Sequence, residues 1–148
     1  MTAILTPAER QEVAVLDLQC LAEEKEGMAA ESVAQAEEPV YGVLSSLRLW
    51  ELLVKRIEQE WPGQDFYPVQ EYILDLTVRD GLEEYCEALR GKLRGKFRHA
   101  LDRLDERYRA VTHEDGGAEL GQYWRPLSER TETRWWWTRR PNGLAPNW

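Results

Sequence analysis

The chain has 148 residues, 43% hydrophobic and 31% charged, with a formal net charge of −8; this favours one soluble core and excludes a mostly disordered chain. No apolar run approaches the ~18 residues of a membrane span, and the opening residues lack the basic start and apolar stretch of a signal peptide, so a cytoplasmic protein without membrane contact is expected. Acidity argues against nucleic acid as a partner, and the acid is concentrated, with 5 basic and 14 acidic side chains in residues 1–74 against 14 and 13 in residues 75–148.

A first helix is expected over residues 7–36, with Thr6 as its cap, Pro7 in the first turn and Glu9 as the capping-box carboxylate. Val13, Leu16 and Cys20 share one face, and Val15, Leu18 and Ala22 lie beside them, so its first half needs a packing partner. Beyond Glu23 the composition turns to Ala, Glu, Gln and Ser around Gly27, which reads as a solvated helix, a break or a connection, until Pro39 stops it.

The second helix carries the clearest period. Val43, Leu47, Trp50, Val54, Ile57 and Trp61 alternate spacings of four and three, and Leu44, Leu49, Leu52 and Leu53 widen the stripe enough to place this helix centrally. Pro62-Gly63 is expected to end it. A third helix spans residues 68–89, with Val69, Tyr72, Ile73 and Leu76 leading to Val78, Leu82, Tyr85 and Leu89; Arg79-Asp80-Gly81 between the halves points to a bend. The fourth, residues 91–111, presents Leu93, Phe97, Ala100, Leu104, Tyr108 and Val111, and the short link at Arg90-Gly91 makes the third and fourth a helical hairpin. Gly116-Gly117 supplies a left-handed stop after it.

Helical periodicity is lost in the last thirty or so residues, where Trp135, Trp136 and Trp137 stand among arginines. Alternation over residues 131–138 reads as a strand with Trp135 and Trp137 turned inward and Trp136 outward, paired with residues 123–127 across Ser128-Glu129-Arg130.

The chemistry-bearing patterns are few. The acidic positions Glu23, Glu24, Glu26, Glu31, Glu37 and Glu38 form one candidate contact with a protein partner, for which field complementarity suits a basic one. Arg134, Trp136, Arg139 and Arg140 form the other, because exposed Trp and Arg are the residues that anchor interfaces. The basic stripe Lys92, Lys96, His99, Arg103 and Arg107 is read as pairing with acids of the same chain. His99 and His113, with Cys20 and Cys86, have no metal-ligand spacing, and neither a phosphate loop nor a nucleophile elbow is present, so no cofactor or metal is expected.

One carboxylate arrangement merits a test: Glu83, Glu84 and Glu87 on the third helix, followed by Asp102 and Asp105 on the fourth. It resembles the EExxE and ExxD pattern of all-helical nucleotide pyrophosphohydrolases over residues 83–105 and departs from it at Asp102, where a Glu is expected. The resemblance implies Mg²⁺ held by Glu83, Glu87, Asp102 and Asp105 and hydrolysis of phosphates. The solvated-helix reading is preferred.

The sequence therefore predicts an all-α domain over residues 1–148, an antiparallel bundle of about four helices with a short C-terminal aromatic β-hairpin or extended tail. Residues 1–40 form an acidic helical segment, 41–112 the helical core and 113–148 the Trp/Arg-rich tail. The expected function is that of a non-catalytic interaction module of bacterial regulatory or conflict type, resembling an immunity protein, antitoxin or inhibitor. The alternatives are the Mg²⁺-dependent phosphohydrolase and a homo-oligomeric assembly protein closed through the wide stripe of the second helix.

Overall fold

The structure, a computed structural model, describes residues 5–63, 67–123, 134–145 and 148. It is a helical bundle: α1 (Pro7–Glu26), α2 (Ala30–Gln35), α3 (Val43–Glu58), α4 (Val69–Ala88) and α5 (Gly91–Ala110), followed by the short strands β1 (Thr112–Glu114) and β2 (Arg139–Pro141). None of these helices is long and apolar enough to cross a membrane.

The start of α1 follows from its first residues. Thr6 Oγ1 accepts the Glu9 amide and Glu9 returns a carboxylate oxygen to the Thr6 amide, both at 3.2 Å, which satisfies two helix-end donors at once. The helix stops at Gly27, and the weak segment beyond it resolves into the single short helix α2.

Helix α3 is central, burying Val43, Leu47, Trp50, Leu53, Val54 and Ile57 as its period requires. It ends before Pro62-Gly63. The Trp61 amide donates to the Arg56 carbonyl at 2.7 Å and the Glu60 amide to the Ile57 carbonyl at 3.1 Å, the bond pair of a Schellman cap, with Glu60 and Trp61 both left-handed at φ 58° and 60°. Trp61 stays in the core by stacking on Tyr67, with ring centroids 4.6 Å apart, and by donating its indole N–H to the Gly143 carbonyl.

Helix α4 runs unbroken through Arg79-Asp80-Gly81. Leu89-Arg90 then reverses the chain, with Gly91 at φ 59°, a value that favours glycine. Pairing of Arg79 with Asp105, of Arg98 with Glu83 and of the Arg94 guanidinium with the Cys86 carbonyl runs up one helix and down the other, which fixes α4 and α5 as antiparallel. Trp50, Tyr72, Phe97, Leu101 and Tyr108 close the core, and the Tyr72 and Tyr108 hydroxyls hydrogen-bond to each other inside it.

The tail departs from the expected hairpin. Residues 124–133, which hold most of the first predicted strand and the start of the second, lie outside the described residues, while Trp135–Thr138 is a 3-10 turn. The antiparallel pair forms instead between β1 and β2, with Thr112 opposite Pro141, His113 opposite Arg140 and Glu114 opposite Arg139. The glycine stop is displaced as well: α5 ends at Ala110, and Gly116 and Gly117, at φ 69° and 82°, turn the chain only after β1. The Arg139 guanidinium covers the open end of α5, donating to the carbonyls of Arg109 at 3.2 Å and Thr112 at 2.9 Å.

Candidate functional site

Of the predicted Trp/Arg contact, Trp136 is buried, while Arg134, Arg139 and Arg140 are half-buried with partners inside the chain. Trp136, expected outward, is 3% exposed; its indole N–H donates to Asp80 Oδ1 at 2.9 Å, and the Trp137 indole donates to the same oxygen at 3.0 Å. Arg134 lies over the Trp136 ring and donates to the Asp80 carbonyl. Arg139 is committed to the end of α5, and an Arg140 nitrogen sits 3.8 Å from Glu119. An indole finds hydrogen-bond capacity inside when a carboxylate is already there. Here α4 supplies one, and the tail packs onto it.

Arg79, read from sequence as part of a bend, sits at the centre of this arrangement with no exposed surface. Its Nε and Nη2 grip both oxygens of Asp105 at 3.0 and 2.8 Å, Nη1 reaches Glu83 at 3.0 Å, and the guanidinium stacks on the Trp136 ring at 4.1 Å. Trp50 adds an indole N–H to Asp105 at 3.1 Å. The network has Arg79 and Asp105 enclosed and Glu83 at its margin, and it joins α3, α4, α5 and the tail.

The same contacts answer the carboxylate pattern of residues 83–105. Asp105 is consumed by Arg79 and Trp50, Glu83 is shared by Arg79 and Arg98, and Asp102 pairs with Arg98 at 3.0 Å, while Glu87 is exposed. Burial raises the Glu83 carboxyl, yet the hydrogen bonds from Arg98 and Arg79 together outweigh it and hold it below its ordinary value. Four carboxylates already neutralised or turned apart do not make a Mg²⁺ cage, and among the described residues no group of three His, Cys, Asp or Glu is placed to hold a metal.

Part of the acidic N-terminal segment is engaged inside the chain. Asp17 Oδ1 accepts the Val43 amide at 2.8 Å, at the first turn of α3, and Glu12 accepts the Arg90 amide at the start of α5, also at 2.8 Å. Glu9 pairs with Lys96, whose hydrogen bond lowers the Glu9 carboxyl from its ordinary value. Neither α3 nor α5 has a capping side chain of its own. Carboxylates from α1 therefore fill the role of caps and meet the positive ends of two helices. Glu24 uses both oxygens on the Val40 and Tyr41 amides, each at 2.8 Å, so this predicted contact residue is also a structural clamp. Glu23, Glu26, Glu31, Glu37 and Glu38 remain exposed. The basic stripe of α5 also pairs internally, Lys96 with Glu9 and Arg107 with Glu58.

Because polar clamps at its edges hold α1, a seam between α1 and α4 is left unfilled. It is a cleft of about 620 Å³. Leu16, Cys20, Glu23 and Glu24 line it from α1, Tyr41 from the following loop, and Leu74, Thr77, Gly81, Glu84 and Tyr85 from α4. Tyr85 donates to the Tyr41 carbonyl at 2.6 Å, and the Cys20 thiol points at the same oxygen from 3.3 Å. Partial burial pushes the Cys20 thiol up, with the neighbouring Glu24 adding to the effect, so this cysteine is not an activated nucleophile. Apolar side chains together with Glu23, Glu24 and Glu84, and no Lys or Arg among the described lining residues, define an acidic groove with largely apolar walls.

Sequence reasoning placed Glu23 and Glu24 among its candidates and missed the α4 wall. A signal was present: Leu74, Val78, Gly81 and Tyr85 form a second stripe at helical spacing beside the core stripe of α4, and Leu74 remains 47% exposed. Comparison with protein-family models, with curated proteins and with solved structures finds no match for this chain.

Proposed function

We propose that this chain is a non-catalytic protein–protein interaction module of bacterial regulatory or conflict type, acting in the cytoplasm as an immunity protein, antitoxin or inhibitor does, by masking a basic partner protein. The observation that carries the reading is the α1–α4 cleft, whose largely apolar lining includes Glu23, Glu24 and Glu84 and, among the described residues, no Lys or Arg. Apolar anchoring area beside unpaired surface charge of one sign is what a steered, specific interface needs. The concentration of acid in residues 1–74 extends the field that attracts such a partner. A predominance of Arg over Lys with few Asn and Ile fits a GC-rich bacterial source.

The test is affinity capture from the native host with the tagged chain and with a Glu23→Lys, Glu84→Lys variant, leaving Glu24 in place because it holds two backbone amides. One dominant protein retained by the wild type and lost by the variant, with both showing the same helical circular dichroism, supports the reading. A partner retained equally by both, or capture of the bait alone, overturns it.

A further inference from the structure

We infer that the cleft receives an α-helix of the basic partner, seated across α4 at Gly81. The inference deepens the reading above and rests on it. Its basis is the cleft together with Gly81, which, like Gly95 of α5, is a helix-interior glycine without an internal reason, and which, unlike Gly95, lines the cleft. Gly81 lies in the interior of a 20-residue helix, where glycine costs about 1 kcal/mol against alanine. It has no positive φ, and a Cβ built on it meets nothing within 4 Å. Two other glycines show what an internal reason looks like: Gly91 needs its φ of 59°, and a Cβ on Gly42 falls 2.8 Å from Asp17 Oδ1. Gly81 instead lines the cleft from α4 together with Thr77 and Ala88, and leaves open space on that wall. A wall of small side chains admits a partner backbone closely.

The walls decide the form of that backbone. The described lining comes from helices and from the loop at Tyr41, with no strand edge among its residues. The main-chain groups of α1 and α4 are engaged along their own helices, so an extended peptide finds no ladder to join, whereas a helix arrives with its hydrogen bonds made. Leu74, and Tyr41 on the opposite lip at 39% exposed, offer contact to the helix's apolar positions. Glu84 and Glu23 then face Lys or Arg on its flanks.

The probe is a displayed library of random short peptides selected on the full chain. The selected sequences are expected to share apolar residues at i, i+3 or i+4, and i+7 with flanking Lys or Arg. An isolated representative should bind the wild type and lose about tenfold or more in Kd, ΔΔG of about 1.4 kcal/mol or more, against Gly81→Leu. That variant is expected to fold with a raised Tm, because the new side chain enters open space and the helix gains propensity. A proline at the peptide's centre should abolish binding to the same extent. If Gly81→Leu and the proline peptide bind like their parents while Glu23→Lys, Glu84→Lys does not, the helix inference falls and the acidic-cleft reading survives. If the charge reversals are also silent, or if no selected peptide binds, both fall.

Discussion

The two sides of α4 handle charge in opposite ways. Toward α5 and the tail, Arg79 and Asp105 are enclosed, bound bidentately and further satisfied by Glu83 and Trp50, so the region can come apart only as a unit. Toward α1 the charges sit at the edges. Asp17, Glu12 and Glu24 hold backbone amides beside an open cleft, and an apolar lining side chain such as Leu74, 47% exposed, stays in solvent. Buried charge here fixes a unique register for the Trp-rich tail, whereas peripheral charge fastens a helix without filling the space beneath it. The first arrangement builds a scaffold, and the second leaves room for a ligand.

The strongest way to break this comparison is Arg79→Met. It leaves Asp105 buried with its bidentate partner gone, and a loss of about 3–5 kcal/mol in urea unfolding is expected. The double change Arg79→Met, Asp105→Leu should recover much of that loss, since two apolar groups leave no uncompensated charge. A single-variant loss below about 1 kcal/mol, the range of an exposed pair, makes the network peripheral and removes the contrast.

Asp75 sharpens it at intermediate size. Burial lifts its carboxyl from the ordinary 3.8 to about 6, against the opposing Tyr67 hydrogen bond and Arg56 charge and with a further push from Glu71. A carboxyl whose pKa is higher folded than unfolded stabilises fully when protonated, and that contribution fades as pH rises through 6. Asp75→Asn should therefore raise stability at pH 7 by on the order of 2 kcal/mol while leaving pH 4 nearly unchanged. Glu9, Glu58 and Glu83, all lowered, act with the opposite sign in both proteins and cancel in the difference. Equal variant-minus-wild-type values at the two pH values would place Asp75 in solvent instead.

The helices were legible because each long one repeats an apolar period, and the period of α3 identified the central element directly. What the period does not encode is which polar residue enters the core. Arg79 and Asp80 fall beside the apolar stripe of α4 and read as a solvated bend until Asp105 and the two indoles are brought to them from 26 and 56 or 57 positions away. The tail failed for the related reason that Trp136 alternates like an outward strand residue, while its indole is satisfied by Asp80 of a distant helix. At the cleft, Glu23 and Glu24 were visible as acid, but their neighbourhood with Glu84 and Gly81 depends on how α1 lies across α4. That placement is set by carboxylate-to-amide bonds, which have no sequence period.

The smallest expected effect bears most directly on those bonds. Asp17→Ala removes the carboxylate that accepts the Val43 amide, and Gly42→Ala attacks the same joint from the other side by driving a methyl group toward Asp17 Oδ1. Losing a cap costs about 1 kcal/mol, too little to unfold a bundle whose core is elsewhere. Hydrogen exchange separates a local from a global cost, because amides of a loosened segment exchange by local opening while core amides require larger unfolding. In both variants α1 should exchange roughly fivefold faster, the factor for about 1 kcal/mol, with α4 and α5 amides close to wild type. Uniform acceleration through all helices would mean that α1 is an integral wall of the core. The seam beneath it would then open only when the whole molecule does.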